Sequence, residues 1–220
     1  MEDSAAVLVS GGLDSAVLTV NLTRHYTRVY PIYIHHGLYW EQSELDYLSA
    51  FLEAIDKRGI QPLVTLDLPV RDIYGTHWSV TGKDVPDAQT PDEAVYLPGR
   101  NLLLLAKAGV WCERNGVHTI ALATLAGNPF SDNTDEFYRA AENVLQLALG
   151  HQLTVIQPFR EMSKEQVIKT GQELPLELTC SCIKPVNGKH CGSCNKCAER
   201  RNAFEKANVE DTTRYETVSI

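Results

Sequence analysis

The sequence predicts an α/β protein: an open, mostly parallel five-stranded sheet with helices on both faces, followed by a cysteine-rich C-terminal segment. Three observations predict it. Short β-rich runs alternate with helical ones five times. The glycine-rich hexapeptide SGGLDS, residues 10–15, stands directly after the first apolar run. Five of the six cysteines crowd into CSCIKPVNGKHCGSCNKC, residues 180–197. The division that follows is an α/β domain over residues 1–178 and a cysteine-bearing segment with its tail over residues 179–220.

Residues 5–9 (AAVLV) form the first strand. They are apolar at every position, as a strand buried on both faces would be. Residues 14–26 follow as a helix, with Ala16, Val17 and Val20 on one side. Residues 29–35 (VYPIYIH) form the second strand, where Pro31 argues against a central place. Residues 41–57 are helical by spacing, with a stripe of Leu45, Leu48, Leu52 and Ile55. Residues 62–66 make the third strand. Residues 70–90 are polar and without a clear period, the composition of a lid, a binding loop or a disordered stretch. Residues 101–115 form a helix closed by Gly116 at its C-terminal cap. Residues 118–123 are the fourth strand, 135–149 a helix stopped by Gly150, and 153–156 the fifth strand. A last helix over 163–173 opens on SKEQ, a partial capping box with Gln166 in the place usually given to glutamate. The pattern is Rossmann-like, and such sheets bind ligands beyond the carboxyl ends of their strands. That edge collects SGGLDS, the His35-His36-Gly37 turn, residues 124–132 and residues 159–164.

Composition bounds the function. The chain has 220 residues, 44% of them apolar, enough to bury one core. No run approaches the roughly 18 apolar residues that span a bilayer. The N-terminus MEDSAAVLVS shows no signal peptide, which points to the cytoplasm. The net charge is −8, with 20 basic against 28 acidic residues, and no basic block exceeds Arg200-Arg201. A nucleic-acid binder shows a basic face, so stable nucleic-acid binding is not expected. Cys112 lies alone in an apolar helical pattern and reads as a buried core thiol.

The hexapeptide makes an anion site. Gly11 and Gly12 let the backbone turn sharply, and the N–H groups before a helix form a positive nest. Ser10 and Ser15 add hydroxyls. Asp14 would repel a phosphate unless a cation stood between them, which implies Mg²⁺ on a polyphosphate. The plain alternative is a glycine turn with an N-cap at Asp14 or Ser10. The Gly-Lys-Ser/Thr ending of a Walker A loop is missing, so γ-phosphoryl transfer is not implied.

The cysteines Cys182, Cys191, Cys194 and Cys197 read C-x8-C-x2-C-x2-C. Four thiolates with no open position describe a structural Zn²⁺ site, one per chain. Cys180 in place of Cys182, His190 in place of one sulfur, an iron–sulfur cluster, and free or redox thiols are the rival assignments.

SGGLDS resembles the pyrophosphate loop of the N-type ATP pyrophosphatases, enzymes that adenylate an oxygen and release AMP and pyrophosphate. The resemblance implies an adenine nucleotide alpha-hydrolase-like fold. Four stretches together resemble the 7-cyano-7-deazaguanine synthases: SGGLDS, YLPGRN at residues 96–101, PFREMSKEQVIKTG at 158–171, and TCSC…CGSCNKCAERRNAF at 179–204. That family is implied to be an ATP-dependent ligase of queuosine biosynthesis. It converts 7-carboxy-7-deazaguanine and ammonia to the nitrile through adenylation and an amide. By resemblance, Ser10, Gly11, Gly12, Leu13, Asp14, Ser15 and His35 hold ATP and its Mg²⁺. In the catalytic set Asp14 holds the magnesium while Arg100 and Lys164 stabilise charge on phosphate, and Cys182, Cys191, Cys194 and Cys197 bind the zinc. Arg100 and Asn101 are the expected substrate contacts, and Asn128 and Asp132 could bond a guanine-like edge or serve as loop caps and turns. Homodimers are implied as well, and since no glutaminase signature is visible, free ammonium is the expected nitrogen source.

Two stretches depart from that pattern. The family has tyrosine, glycine, glutamine and arginine after its second strand, whereas here the run is His35-His36-Gly37-Leu38-Tyr39, closer to a lysidine synthetase. The loop LAGNPFSDNTDEF, residues 125–137, is about two residues longer and keeps few of the family's polar residues. The alternatives are a branch that stops at the amide or modifies another acceptor, a tRNA-modifying thiolase or lysidine-type enzyme, and a non-enzymatic nucleotide or zinc scaffold.

Overall fold

The computed structural model describes residues 2–216. Five parallel strands form one sheet in the order β3-β2-β1-β4-β5. They are β1 (Glu2–Val9), β2 (Tyr26–His35), β3 (Val64–Asp67), β4 (Thr119–Ala121) and β5 (Thr154–Ile156). The helices are α1 (Leu13–Leu22), α2 (Glu41–Ala54), α3 (Arg71–Tyr74), α4 (Trp78–Thr81), α5 (Arg100–Asn115), α6 (Asp135–Leu149), α7 (Lys164–Thr170) and α8 (Asn195–Ala207). Among the described residues no helix is long and apolar enough to cross a membrane.

The unbroken apolar run of β1 is explained by its central place. Side chains alternate across a strand. Ala5, Val7 and Val9 therefore join one core with α1, α7 and α8, through Leu13, Val17, Val167, Ile168, Ala203 and Phe204. Ala6 and Leu8 join the opposite core with α5 and α6, through Leu105, Ala108, Cys112, Tyr138 and Leu145. Cys112 is the buried thiol its setting predicted, and burial pushes it up to about 12.

Pro31 lies in an interior strand after all, paired with Val7 of β1. Val29 directs its N–H and C=O to Gly59 and Gln61, so by alternation Pro31 presents its missing N–H on that same side. The β2–β3 ladder starts only at Ile32, beside Val64, and the missing donor falls where the ladder is interrupted.

Several boundaries differ from the periodicity. The first helix ends at Leu22 rather than at residue 26, and Tyr26 starts β2 beside Glu2 instead. The helix over α2 stops at Ala54, because Ile55 turns extended to pack with Ala16 and Phe51. The strand β4 is shorter than 118–123, since the chain leaves its ladder after Ala121. The helix α7 ends at Thr170, where Gly171 passes so close to Val17 that a Cβ would lie 2.5 Å from its Cγ2. Gly116 and Gly150 are left-handed caps as read, and Gln166 accepts the Ser163 N–H at 2.7 Å.

The stretch 70–90 is not structureless. It carries α3 and α4, which are anchored because Val70 and Trp78 pack with Leu38 and Trp40. The Trp40 and Trp78 rings stack with centroids 5.6 Å apart.

Candidate active site

The strand order reverses between β1 and β4, and a parallel sheet opens a crevice beyond its carboxyl edge there. A cleft of about 400 Å³ occupies that place, and an inner cleft of about 190 Å³ adjoins it. Ser10, Gly12, Asp14, Glu44, Arg100, Asn101 and Thr124 line both. Lys164, Asn128 and Asp132 line the outer cleft, and Ser15 the inner one. Gly11 and His35 line neither.

Gly11 instead shapes the loop. Its φ of +72° is left-handed, and a Cβ would lie 2.4 Å from the Glu44 carbonyl oxygen. Its own carbonyl accepts the Cys180 N–H at 2.7 Å, which ties the hexapeptide to the C-terminal segment. The N-cap of α1 is Gly12, not Asp14 or Ser10, and no side chain caps it. The loop's own hydroxyls bond its N–H groups only at 3.4 Å, Ser10 N to Ser15 Oγ and Gly12 N to Ser10 Oγ. These donors sit at the positive end of a ten-residue helix.

Freed from capping, Asp14 takes part in a row of alternating charges. Its Oδ2 accepts from Lys164 Nζ at 2.6 Å. Lys164 lies 3.6 Å from Glu199, Glu199 lies 2.5 Å from Lys196, and Lys196 lies 3.4 Å from Asp92. Burial pulls the Lys164 ammonium down, but Asp14 and Glu199 outweigh it and hold the group above its ordinary value. The other Asp14 oxygen, Oδ1, is buried with no hydrogen-bond partner among the described residues. The Arg100 Nε is likewise buried and unpartnered. One cation-seeking and one anion-seeking atom thus belong to side chains that line a shared cleft, and both would be costly to leave so without a ligand.

The loop over residues 125–137 makes the far wall. Phe130 stacks on Tyr96 at 5.0 Å, and the Tyr96 hydroxyl bonds Ser131 at 2.9 Å. Asp132 accepts the Asn101 N–H at 3.0 Å, while the Asn101 side chain donates to the Asp132 carbonyl at 2.8 Å. Asn128 Oδ1 accepts the Phe130 N–H at 3.0 Å. The base-facing candidates therefore reach the cleft while spending part of their bonding on the loop itself.

At the 35–37 turn, Glu41 gathers the backbone. Its Oε2 accepts the N–H groups of His36 and Gly37 at 2.7 and 2.6 Å, and its Oε1 meets His35 Nδ1 at 3.1 Å. The histidine in the inner cleft is His36, not His35. Burial, with help from Arg100, lowers His36 to about 4, so its ring is neutral near pH 7.

Sequence reasoning missed Glu44, Glu199, Lys196 and Trp78. A signal for Glu44 was present: it lies four residues before Leu48 and seven before Phe51, on the buried stripe of α2. Trp78 sits on a single-turn helix, and Glu199 and Lys196 are charged positions of α8, where nothing in the sequence sets them apart from a solvated face.

Cys182, Cys191, Cys194 and Cys197 are all buried, and their sulfurs lie within 4.8 Å of one another. The separations Cys182–Cys194 and Cys191–Cys197 are both 3.9 Å. A tetrahedral ion with sulfurs at about 2.3 Å sets neighbouring sulfurs roughly 3.8 Å apart, so the cluster could hold one metal ion. Backbone N–H groups of Lys184 and Cys191 point at the Cys182 sulfur, and those of Ser193 and Cys194 at the Cys191 sulfur. Cys180 stands outside the four. Its Sγ donates to the Cys182 carbonyl, and it lines the cleft beside Ser181. His190 is also outside, its Nε2 accepting the Ser181 N–H at 3.0 Å. Ala88 N–H donates to the Ser193 carbonyl, and Asn195 N–H to that of Pro86, so the cysteine turn also clamps residues 86–88.

Comparison with known proteins places this geometry. The profile of the family described as queuosine biosynthesis protein QueC matches residues 4–208. The 7-cyano-7-deazaguanine synthase of Methanothermobacter thermautotrophicus is 31% identical over 96% of this chain and 98% of its own. That of Ralstonia pickettii is 30% identical over 98% of this chain and 100% of its own. Among solved structures, a 4-thiouridine synthetase–RNA complex with bound ATP superposes with a TM-score of 0.51 at 16% identity. It covers 94% of this chain and 50% of that one, a likeness of fold alone. With a family match across nearly the whole chain and relatives aligned end to end, this protein belongs to the QueC family of enzymes.

Proposed function

We propose that this chain is an ATP-dependent 7-cyano-7-deazaguanine synthase, converting 7-carboxy-7-deazaguanine and ammonia to the nitrile by way of the amide. The observation that carries the reading is the convergence of the α1 N-terminus, Asp14, Lys164 and Arg100 on one cleft. A carboxylate is a poor electrophile, and adenylation gives its oxygen a leaving group. The Ser10, Gly12 and Ser15 donors, with the helix end, hold the pyrophosphate part of ATP. The unpartnered Asp14 Oδ1 fits a hard cation, and Mg²⁺ there neutralises phosphate charge when bound. Lys164 and Arg100 stabilise the negative charge that builds as pyrophosphate, and then AMP, departs. The neutral faces of Trp78, Tyr96 and Phe130 offer a place for a flat base, with Asn128 and Asp132 at its polar edge.

The four buried cysteines suit Zn²⁺, which would hold the wall formed by Cys180 and Ser181 and take no part in the chemistry. The same reading takes free ammonium as the nitrogen source, the homodimer as the assembly and the cytoplasm as the compartment. The Cys180 thiol is buried and donates to the Cys182 carbonyl, which argues against a free thiolase nucleophile.

The test is direct. Purified protein is incubated with Mg-ATP, ammonium and 7-carboxy-7-deazaguanine, and products are followed by mass spectrometry. AMP together with the nitrile is expected. Amide without nitrile would mark a branch that stops one step early. No AMP would overturn the reading, and ATP turnover only with tRNA would replace it by a tRNA-modifying one.

A further inference from the structure

Glu44 is a buried carboxylate that the roles above leave unused. It lines the outer and the inner cleft together. The Tyr33 hydroxyl donates to its Oε2 and the Trp40 indole N–H to its Oε1, each at 3.0 Å. No salt bridge joins it to a cation among the described residues. Two neutral donors are a thin compensation for burying a charge, and a cationic guest would complete it. The charged and titratable groups around it are Tyr33 on β2, Glu41 on its own helix, Arg100 on α5 and Cys180 on the C-terminal segment. Burial, set against Arg100 and the two donors, pushes its carboxyl up to about 7.

We propose that Glu44 receives ammonium between the two clefts and acts as the base that frees ammonia to attack the activated carboxyl. The inference rests on the synthase reading above and names the residue that prepares its second substrate. Ammonium has no lone pair. It gives one proton to the Glu44 carboxylate and becomes ammonia. The lone pair attacks the carbonyl carbon of the acyl-adenylate, forming the C–N bond. The C–O bond to phosphate breaks and AMP leaves with its electron pair. The surplus proton on nitrogen passes to water, giving the amide. A base whose pKa lies near the working pH suits this exchange.

The experiment compares two nucleophiles on the same acid with Mg-ATP, at pH 6 to 9. Ammonium must be deprotonated first, whereas hydroxylamine is already largely neutral near pH 7. For Glu44→Gln, amide formation from ammonium should fall about 100-fold. Hydroxamate formation should fall less than about tenfold. Tyr33→Phe keeps the carboxylate and removes a donor to its charged form, so the acid limb of the ammonium profile should move to higher pH. The hydroxylamine profile should stay in place. Equal losses with both nucleophiles, or an unmoved ammonium profile in Tyr33→Phe, would overturn the role of Glu44 while wild-type turnover upholds the synthase reading. A wild-type protein that releases no AMP with the acid overturns that reading and this inference with it.

Discussion

The two walls of the cleft treat their polar groups in opposite ways. Around the hexapeptide and the start of α5, Asp14 Oδ1 and Arg100 Nε are buried without partners among the described residues, and the loop hydroxyls reach their own N–H groups only at 3.4 Å. On the side of residues 125–137, Asn128 and Asp132 make bonds near 3.0 Å to their own loop and to Asn101. One wall is organised for a guest and the other for its own shape. Removing a group from the first should cost turnover. Removing one from the second should change how the wall stands, and so which base it admits.

The largest effect should come from the support behind the first wall. Cys180 N–H holds Gly11, and the segment that carries Cys180 contains Cys182, Cys191, Cys194 and Cys197, which could hold a metal ion. Structural zinc in small folds contributes about 10–16 kcal/mol of apparent binding energy. We expect Cys194→Ser to lose bound zinc and to unfold this segment, with ATP turnover abolished. Metal content per chain and a thermal melt check both. A variant that keeps its melting temperature and turnover without metal would show that the first wall stands unaided.

Next in size is the charge row itself. Asp14→Ala should lower AMP formation by about 10²–10³-fold, the range seen when one preorganised group is lost from a transition-state site. The fold should survive, because Lys164 keeps Glu199 as a partner. Single-turnover assays at saturating ATP with circular dichroism as control test this. Unchanged turnover would remove the cation from Asp14 and leave it a partner of Lys164.

A third prediction concerns stability and its pH dependence. A carboxyl raised from 4.5 to about 7 by folding is protonated more readily in the native state than in the unfolded chain. Its contribution is therefore whole below pH 4.5 and is lost as pH rises through 7. The loss amounts to roughly 3 kcal/mol once Glu44 is ionised. Glu44→Gln abolishes that titration. Its stability relative to wild type should improve between pH 5 and pH 8 by up to that amount, read from denaturant midpoints. A pH-independent difference would mean that the Glu44 carboxyl titrates normally.

How much was legible follows from what repeats. The unbroken apolar run of β1 and the leucine stripe of α2 report packing, and packing decides where strands and helices lie. The hexapeptide was legible because glycines and an aspartate at a strand end have few uses other than holding an anion. The cysteine spacing was legible because three sulfurs must share one turn. Glu199 and Lys196 were not, because α8 starts inside the cysteine turn, with Cys194 as its cap and Cys197 in its first turn, and its charged residues look like an ordinary solvated face until α7 packs against it. The segment 70–90 hid its short helices because each is one turn long, too short for a period. Their anchors, Val70 and Trp78, find partners near residue 40, far away in sequence.

The smallest effects should come from the second wall. Asn128 Oδ1 holds the Phe130 N–H, and Phe130 in turn stacks on Tyr96. Asn128→Ala removes one loop bond, worth roughly 1 kcal/mol, and leaves the aromatic stack to keep the loop near its place. Turnover of the preferred acid should fall less than about tenfold by that measure. Asn128→Asp keeps the accepting oxygen and removes the amide donor, so it separates a turn from a ligand contact. If Asn128→Asp behaves like wild type, the side chain acts as a turn. If it loses as much as Asn128→Ala or more, the amide donates to the base, and the second wall is built for its guest in the same sense as the first.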